Sequence, residues 1–102
     1  MQTQISSVSF GAVSGAGPQV TSTTVNFGSA VTQAAAILTG FIVEFSGGND
    51  HHLGQLDVQV AVPSGGISGA VVTVQVTYGL RDWSGEWDDR YDGRVFFAVV
   101  AE

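Results

Sequence analysis

The sequence predicts an all-β protein, a small antiparallel β-sandwich of about six strands, and three observations carry that expectation. Apolar and polar residues alternate with a period of two over several runs, most clearly in VVTVQVTYGL and LGQLDVQVAV. Clusters of Gly, Pro, Ser and Asn separate those runs at the places where a sheet must turn. No stretch combines helical periodicity with helix caps, no segment repeats, and no linker divides the chain, so residues 1–102 read as one β-sandwich domain.

The first 20 residues are expected to be partly irregular. Ile5, Val8 and Phe10 can make a first strand, with GAVSGAGPQ as a loop. From Thr21 to Phe27, Ser22, Thr24 and Asn26 alternate with Thr23, Val25 and Phe27, a strand with one face in a core. Val31–Ser46 begins like a helix, because VTQAAAIL is rich in good helix formers. The β-branched and aromatic residues of ILTGFIVEF, with Gly40 among them, decide for a strand. Strict alternation puts Ile37, Thr39, Phe41, Val43 and Phe45 on one face, with Leu38, Gly40, Ile42 and Glu44 on the other.

Gly47-Gly48-Asn49-Asp50 then reads as a turn. After it, Leu56, Val58, Val60 and Val62 form an apolar face, with Leu53, Gln55, Asp57 and Gln59 pointing away. Pro63-Ser64-Gly65-Gly66 turns the chain into a strand that sets Val72, Val74, Val76, Tyr78 and Leu80 against Val71, Thr73, Gln75, Thr77 and Gly79. Val95–Ala101 closes the sheet. It is apolar on both faces, which predicts a cover on each side, one of them a neighbouring subunit.

At this length a chain can bury roughly 65% of the surface its unfolded form exposes, and it needs no staple to fold. With no cysteine, disulfides, thiolate metal sites and a catalytic thiol are all excluded. The opening residues have neither a basic segment nor an apolar h-region, so no signal peptide is expected. No apolar run is long enough for a membrane helix, which argues against membrane insertion. A net charge of −6, three arginines and no lysine argue against a nucleic-acid partner. Charged residues make up only 12% of the chain, against about 25% for an average soluble domain. So sparse a charge predicts that copies of the chain cover part of its surface, a homo-oligomer; the alternative is a monomer coated with Ser, Thr and Gln.

The chemistry concentrates in residues 81–94, RDWSGEWDDRYDGR, expected to form one long loop. This stretch holds all three arginines, both tryptophans, Tyr91, and the acids Asp82, Glu86, Asp88, Asp89 and Asp92. An indole stacks on the C–H face of a sugar while nearby carboxylates accept its hydroxyls. The candidate ligand-binding residues are therefore Trp83, Trp87, Asp82, Asp88, Asp89, Arg90 and Tyr91. The plainer alternative is that the tryptophans cap an open end of the sandwich and the arginines pair with neighbouring aspartates.

His51 and His52 are secondary candidates at a strand start. Adjacent side chains on a strand point to opposite faces, so the pair cannot chelate one metal. Asp88, Asp89 and Asp92 beside Gly93 offer oxygen ligands that would suit calcium, but EF-hand spacing is missing and Arg90 opposes a cation. No cofactor is expected. Nor is catalysis, since no Ser/His/Asp spacing, phosphate loop or HExxH motif occurs.

Three segments resemble H-type lectin domains. Val25-Asn26-Phe27 and the apolar strand after it are similar to the family's early V-x-F and its following strand. Trp87-Asp88-Asp89 resembles the Trp–polar–polar segment ahead of the last strand, and Phe96–Ala101 the closing aromatic-x-Ala strand. The chain departs from the family in a longer loop before the last strand, and LGQLDVQVAV lacks an arginine that several members use at the sugar. The resemblance implies a β-sandwich assembled as a trimer or hexamer that binds galactose-type sugars. It would put ligand contacts on Trp87 and Asp88, then on Trp83 and Tyr91. The expectation is thus a bacterial or phage-type glycan-binding domain, extracellular or particle-associated. The alternative is a structural assembly domain using the same loop and last strand as its interface.

Overall fold

The computed structural model describes residues 1–13, 17–46, 52–87 and 89–102. Among these residues there is no α-helix, and no helix long and apolar enough to cross a membrane. The strands are β1 (Gln2–Val13), β2 (Gln19–Asn26), β3 (Ala34–Phe45), β4 (Leu53–Ala61), β5 (Ile67–Ser68), β6 (Val71–Asp82) and β7 (Tyr91–Ala101). They form two antiparallel sheets, one ordered β1-β7-β3 and the other β2-β6-β4, with β5 also pairing β6. The sandwich is long and thin, with principal extents of 47 × 20 × 17 Å.

The core lies between the two central strands. Val72, Val74 and Val76 of β6 and Val95, Phe97 and Val99 of β7 are fully shielded from solvent, and Tyr78, Leu80 and Ala101 extend the same two rows. Val25 and Phe27 of β2 and Phe10 of β1 fill in beside them, as period-two alternation requires. Phe10 stacks on Tyr78 with ring centroids 3.9 Å apart and meets Tyr91 edge-on at 6.1 Å.

Several expected boundaries change. The N-terminal segment is mostly strand: β1 pairs with β7 from Gln2, opposite Ala101, to Phe10, opposite Gly93, and after a slip again at Val13. Only a short connection separates it from β2. The two-residue β5 escapes notice in the sequence because it is too short to show a period. The turn at residues 47–50 and His51 lie outside the described residues.

The faces of β3 are the main correction. Its register with β7 slips between Leu38 and Gly40, so Leu38 faces Phe97 and Gly40 faces Phe96. An inserted residue reverses the alternation beyond it. Ala34, Ala36, Val43 and Phe45 consequently point to the core, while Ile37 shares the outer face with Ile42.

Candidate functional site

The long loop expected over residues 81–94 is shorter than the sequence suggests. Arg81 and Asp82 belong to β6, and Tyr91 to Arg94 belong to β7. The connection runs from residue 83 to 90 and crosses from one sheet to the other. Its first turn is held by Asp82, whose Oδ1 accepts hydrogen bonds from the Ser84 N–H at 3.0 Å and from the Ser84 hydroxyl. This carboxylate oxygen therefore shapes the loop.

Two aromatic groups result. In the first, Trp83 stands 73% exposed at the end of β6. Its backbone N–H donates to the His52 carbonyl oxygen at 3.0 Å, carrying the β4–β6 ladder one step past its last pair, and the two rings meet edge-on at 6.4 Å. The close approach depends on Gly54, where the β4 register slips; a Cβ there would stand 2.0 Å from the Asp82 carbonyl oxygen. Leu53, also exposed, adds apolar surface beside His52.

In the second group, Trp87 folds back over the outer face of the β2-β6-β4 sheet. It lies against Gly79, where a Cβ would come within 3.1 Å of the indole Cη2 and 3.0 Å of Pro18. The Arg81 guanidinium sits 5.8 Å from the centre of the indole, a cation–π contact, and its Nη2 donates to the Gln55 Oε1 at 3.4 Å. Asp57 stands opposite Gly79 in the β4–β6 register, on that same outer face, and its Oδ1 accepts from Gln59 Nε2 at 2.7 Å. The result is a partly exposed indole with an arginine at its side, on a sheet face that also carries Gln55, Asp57 and Gln59.

The expected site residues separate accordingly. Trp83 and His52 come together, and Trp87 joins Arg81. Asp82 serves the turn, Asp89 is half-buried and Arg90 is exposed. Asp88 and His51 lie outside the described residues. Tyr91 is the clear correction: it is 1% exposed, in the core with Phe10, and its hydroxyl reaches the Tyr78 carbonyl oxygen at 3.4 Å. It starts β7 on the inward phase shared with Val95 and Phe97, so its ring cannot face an outside ligand. Burial, and secondarily Tyr78, raises its phenol pKa above the usual value of 10.0.

Gln55, Asp57 and Gln59 are the residues that sequence reasoning left out of the site. Their outward alternation on β4 is visible in the sequence, but their place opposite Arg81, Gly79 and Thr77, on the face that Trp87 covers, depends on a cross-strand register that it does not state. Asp92 belongs to β7, on the outer face of the other sheet, away from the loop that would have to wrap a calcium ion. Among the described residues, no three His, Asp or Glu side chains converge as metal ligands.

Indentations of about 100 and 250 Å³ lie at the opposite end of the sandwich, around Met1, Val31, Ala34 and Glu102. The chain matches no protein-family model, and no curated protein and no solved structure is significantly similar to it.

Proposed function

We propose that this is a non-catalytic, homo-oligomeric carbohydrate-binding domain whose glycan lies on the aromatic end of the β2-β6-β4 sheet. The observation that carries this reading is the Trp87 indole, pinned over Gly79 by Pro18 and Arg81 with the amide of Gln55 beside it. A fixed, half-exposed indole offers the C–H face of a pyranose a stacking surface without ordering cost. Arg81 and Gln55 donate to ring hydroxyls, and Asp57 accepts from them. Trp83 with His52 is a second stacking place, and Asp89 and Arg90, which follow Trp87 in the same connection, add an acceptor and a donor for an extended glycan. A shallow open site of this kind binds weakly, and several copies supply avidity.

The test is retention on a galactose-type glycan surface by the native chain, Trp87→Ala and Trp83→Ala, with oligomer size measured in parallel. Loss of at least tenfold in retention by Trp87→Ala, with size unchanged, supports the reading; full retention by both variants overturns it.

A structural assembly domain is the second reading, favoured by one observation: the outer face of the other sheet is apolar.

A further inference from the structure

The two outer faces of the sandwich differ in kind. On the β2-β6-β4 sheet, the outward residues are Ser22 and Thr24 of β2, Thr73, Gln75 and Thr77 of β6, and Gln55, Asp57 and Gln59 of β4, with Val20 a single exposed aliphatic among them. This is the polar face that an antiparallel sheet turns to water. On the β1-β7-β3 sheet, the register puts Ile5, Ala98 and Ile37 in one outward row, Ser7, Phe96 and Gly40 in the next, and Thr3, Val100 and Ala35 in a third. Ile42 continues the patch beside Arg94. Ile5 is 81% exposed, Ile42 61% and Ile37 51%.

We infer that this outer face of β1-β7-β3 packs against the same face of a second copy of the chain. Goes-to-water alternation is abandoned here along two neighbouring strands, which sets the patch apart from scattered surface apolar residues. The eleven residues of β7 make the face about 36 Å long at the strand rise, and three strands make it about 14 Å wide. Each copy thus presents about 500 Å², and a facing pair covers about 1,000 Å², the threshold for a specific interface.

Charge selects a second copy as the occupant. At one end of the face Arg94 is held in place, its Nε donating to Ser9 Oγ at 2.8 Å and its guanidinium 6.0 Å from the Phe96 ring. One row further stand Asp92 and Glu44, opposite each other in the register. The face carries its own cation and its own acids within one strand repeat. Two copies related by a two-fold axis, with their strands aligned as in sheet-on-sheet packing, can pair Arg94 of each with the acids of the other.

The inference rests on the homo-oligomeric part of the proposed function and not on its sugar site. The test is sedimentation equilibrium on the native chain, on the double variant Ile37→Lys/Ile42→Lys, and on a control, Thr24→Lys/Gln75→Lys, on the polar face. Both doubles add the same charge at exposed positions, and far-UV circular dichroism checks that each keeps its sheet content. The native chain and the control are expected to self-associate alike. The face variant is expected to dissociate at least about 100-fold more readily, about tenfold for each apolar side chain left in water. A native chain that is monomeric at about 100 µM, which would make any self-association no stronger than about −5.5 kcal/mol, overturns the inference. So does a face variant that associates as the native chain does. Glycan retention per site, measured on the monomeric variant, reports on the sugar site separately: its loss in a Trp87→Ala chain that still associates leaves this interface standing.

Discussion

Trp87 rests on Gly79, close enough that a single methyl group at position 79 would stand 3.1 Å from the indole Cη2 and 3.0 Å from Pro18. The bare backbone of β6 is the seat of the ring, and Arg81, two residues on along the same face, holds its side. The arrangement ties a loop residue to a central strand, which gives the indole a fixed position that an unsupported loop would not.

Gly79→Ala should therefore act on the loop more than on the core. A Cβ at those distances must move the neighbours by a few tenths of an ångström, and the loop-borne ring is the part that can give. We expect a loss of about 1 kcal/mol in stability and a red shift of Trp87 fluorescence in a Trp83→Phe background. Glycan retention should fall with it. Unchanged fluorescence would show that Trp87 does not depend on this seat.

Gly54→Ala tests the other aromatic group. At 2.0 Å from the Asp82 carbonyl oxygen, the added Cβ overlaps backbone, so the β4–β6 ladder has to open where Trp83 bonds to His52. A destabilisation of about 2–4 kcal/mol is expected, because backbone strain has no flexible side chain to absorb it. Thermal unfolding measures it. A midpoint within a degree of the native one would refute the close approach.

How much of this was legible in the sequence varies from element to element. Strand β6 was readable to the phase, since the apolar row from Val72 to Leu80 alternates with Thr73, Gln75, Thr77 and Gly79 and is buried throughout. Strand β7 was readable as a strand, but Val95 to Ala101 is apolar on both faces, so the sequence does not say which row is inward. Strand β3 was readable as a strand but not in its faces. The slip between Leu38 and Gly40 leaves no mark in composition, and it moves Ile37 from the expected core face to the outside. The loop was misjudged because Arg81-Asp82 and Tyr91-Asp92-Gly93-Arg94 look like turn chemistry, although neighbouring strands supply their backbone partners. Tyr91 followed from that error: counted back from Phe97 in steps of two, it belongs to the inward row. The seating of Trp87 on Gly79 and Arg81 of β6 could not be read at all, for it depends on how the loop folds back over the sheet.

Phe96 and Phe97 make a paired test of the two faces of β7. Phe97 is completely buried, and Phe97→Ala should cost about 3–5 kcal/mol whatever the association state. Phe96 lies half-buried on the outer face beneath Arg94. Its change to Ala should leave the isolated chain nearly as stable, and make the unfolding midpoint less dependent on protein concentration. Equal losses for the two variants in dilute denaturant titrations would mean that Phe96 is as well packed within one copy as Phe97.

Tyr91 gives the fold a dependence on alkaline pH. Burial raises its phenol pKa above 10.0 in the folded chain, so the folded state holds the phenolic proton more tightly than the unfolded state does. Its contribution is fully present below the unfolded value of about 10 and is lost as pH climbs from there through the raised folded value. Denaturant midpoints measured between neutral pH and the alkaline limit should therefore decline above about pH 10. Tyr91→Phe keeps the ring between Phe10 and the core while removing the proton and a long 3.4 Å hydrogen bond to the Tyr78 carbonyl. That variant should lose no more than about 1 kcal/mol at neutral pH and show a shallower alkaline decline. A decline identical to that of the native chain would assign the alkaline sensitivity to another group.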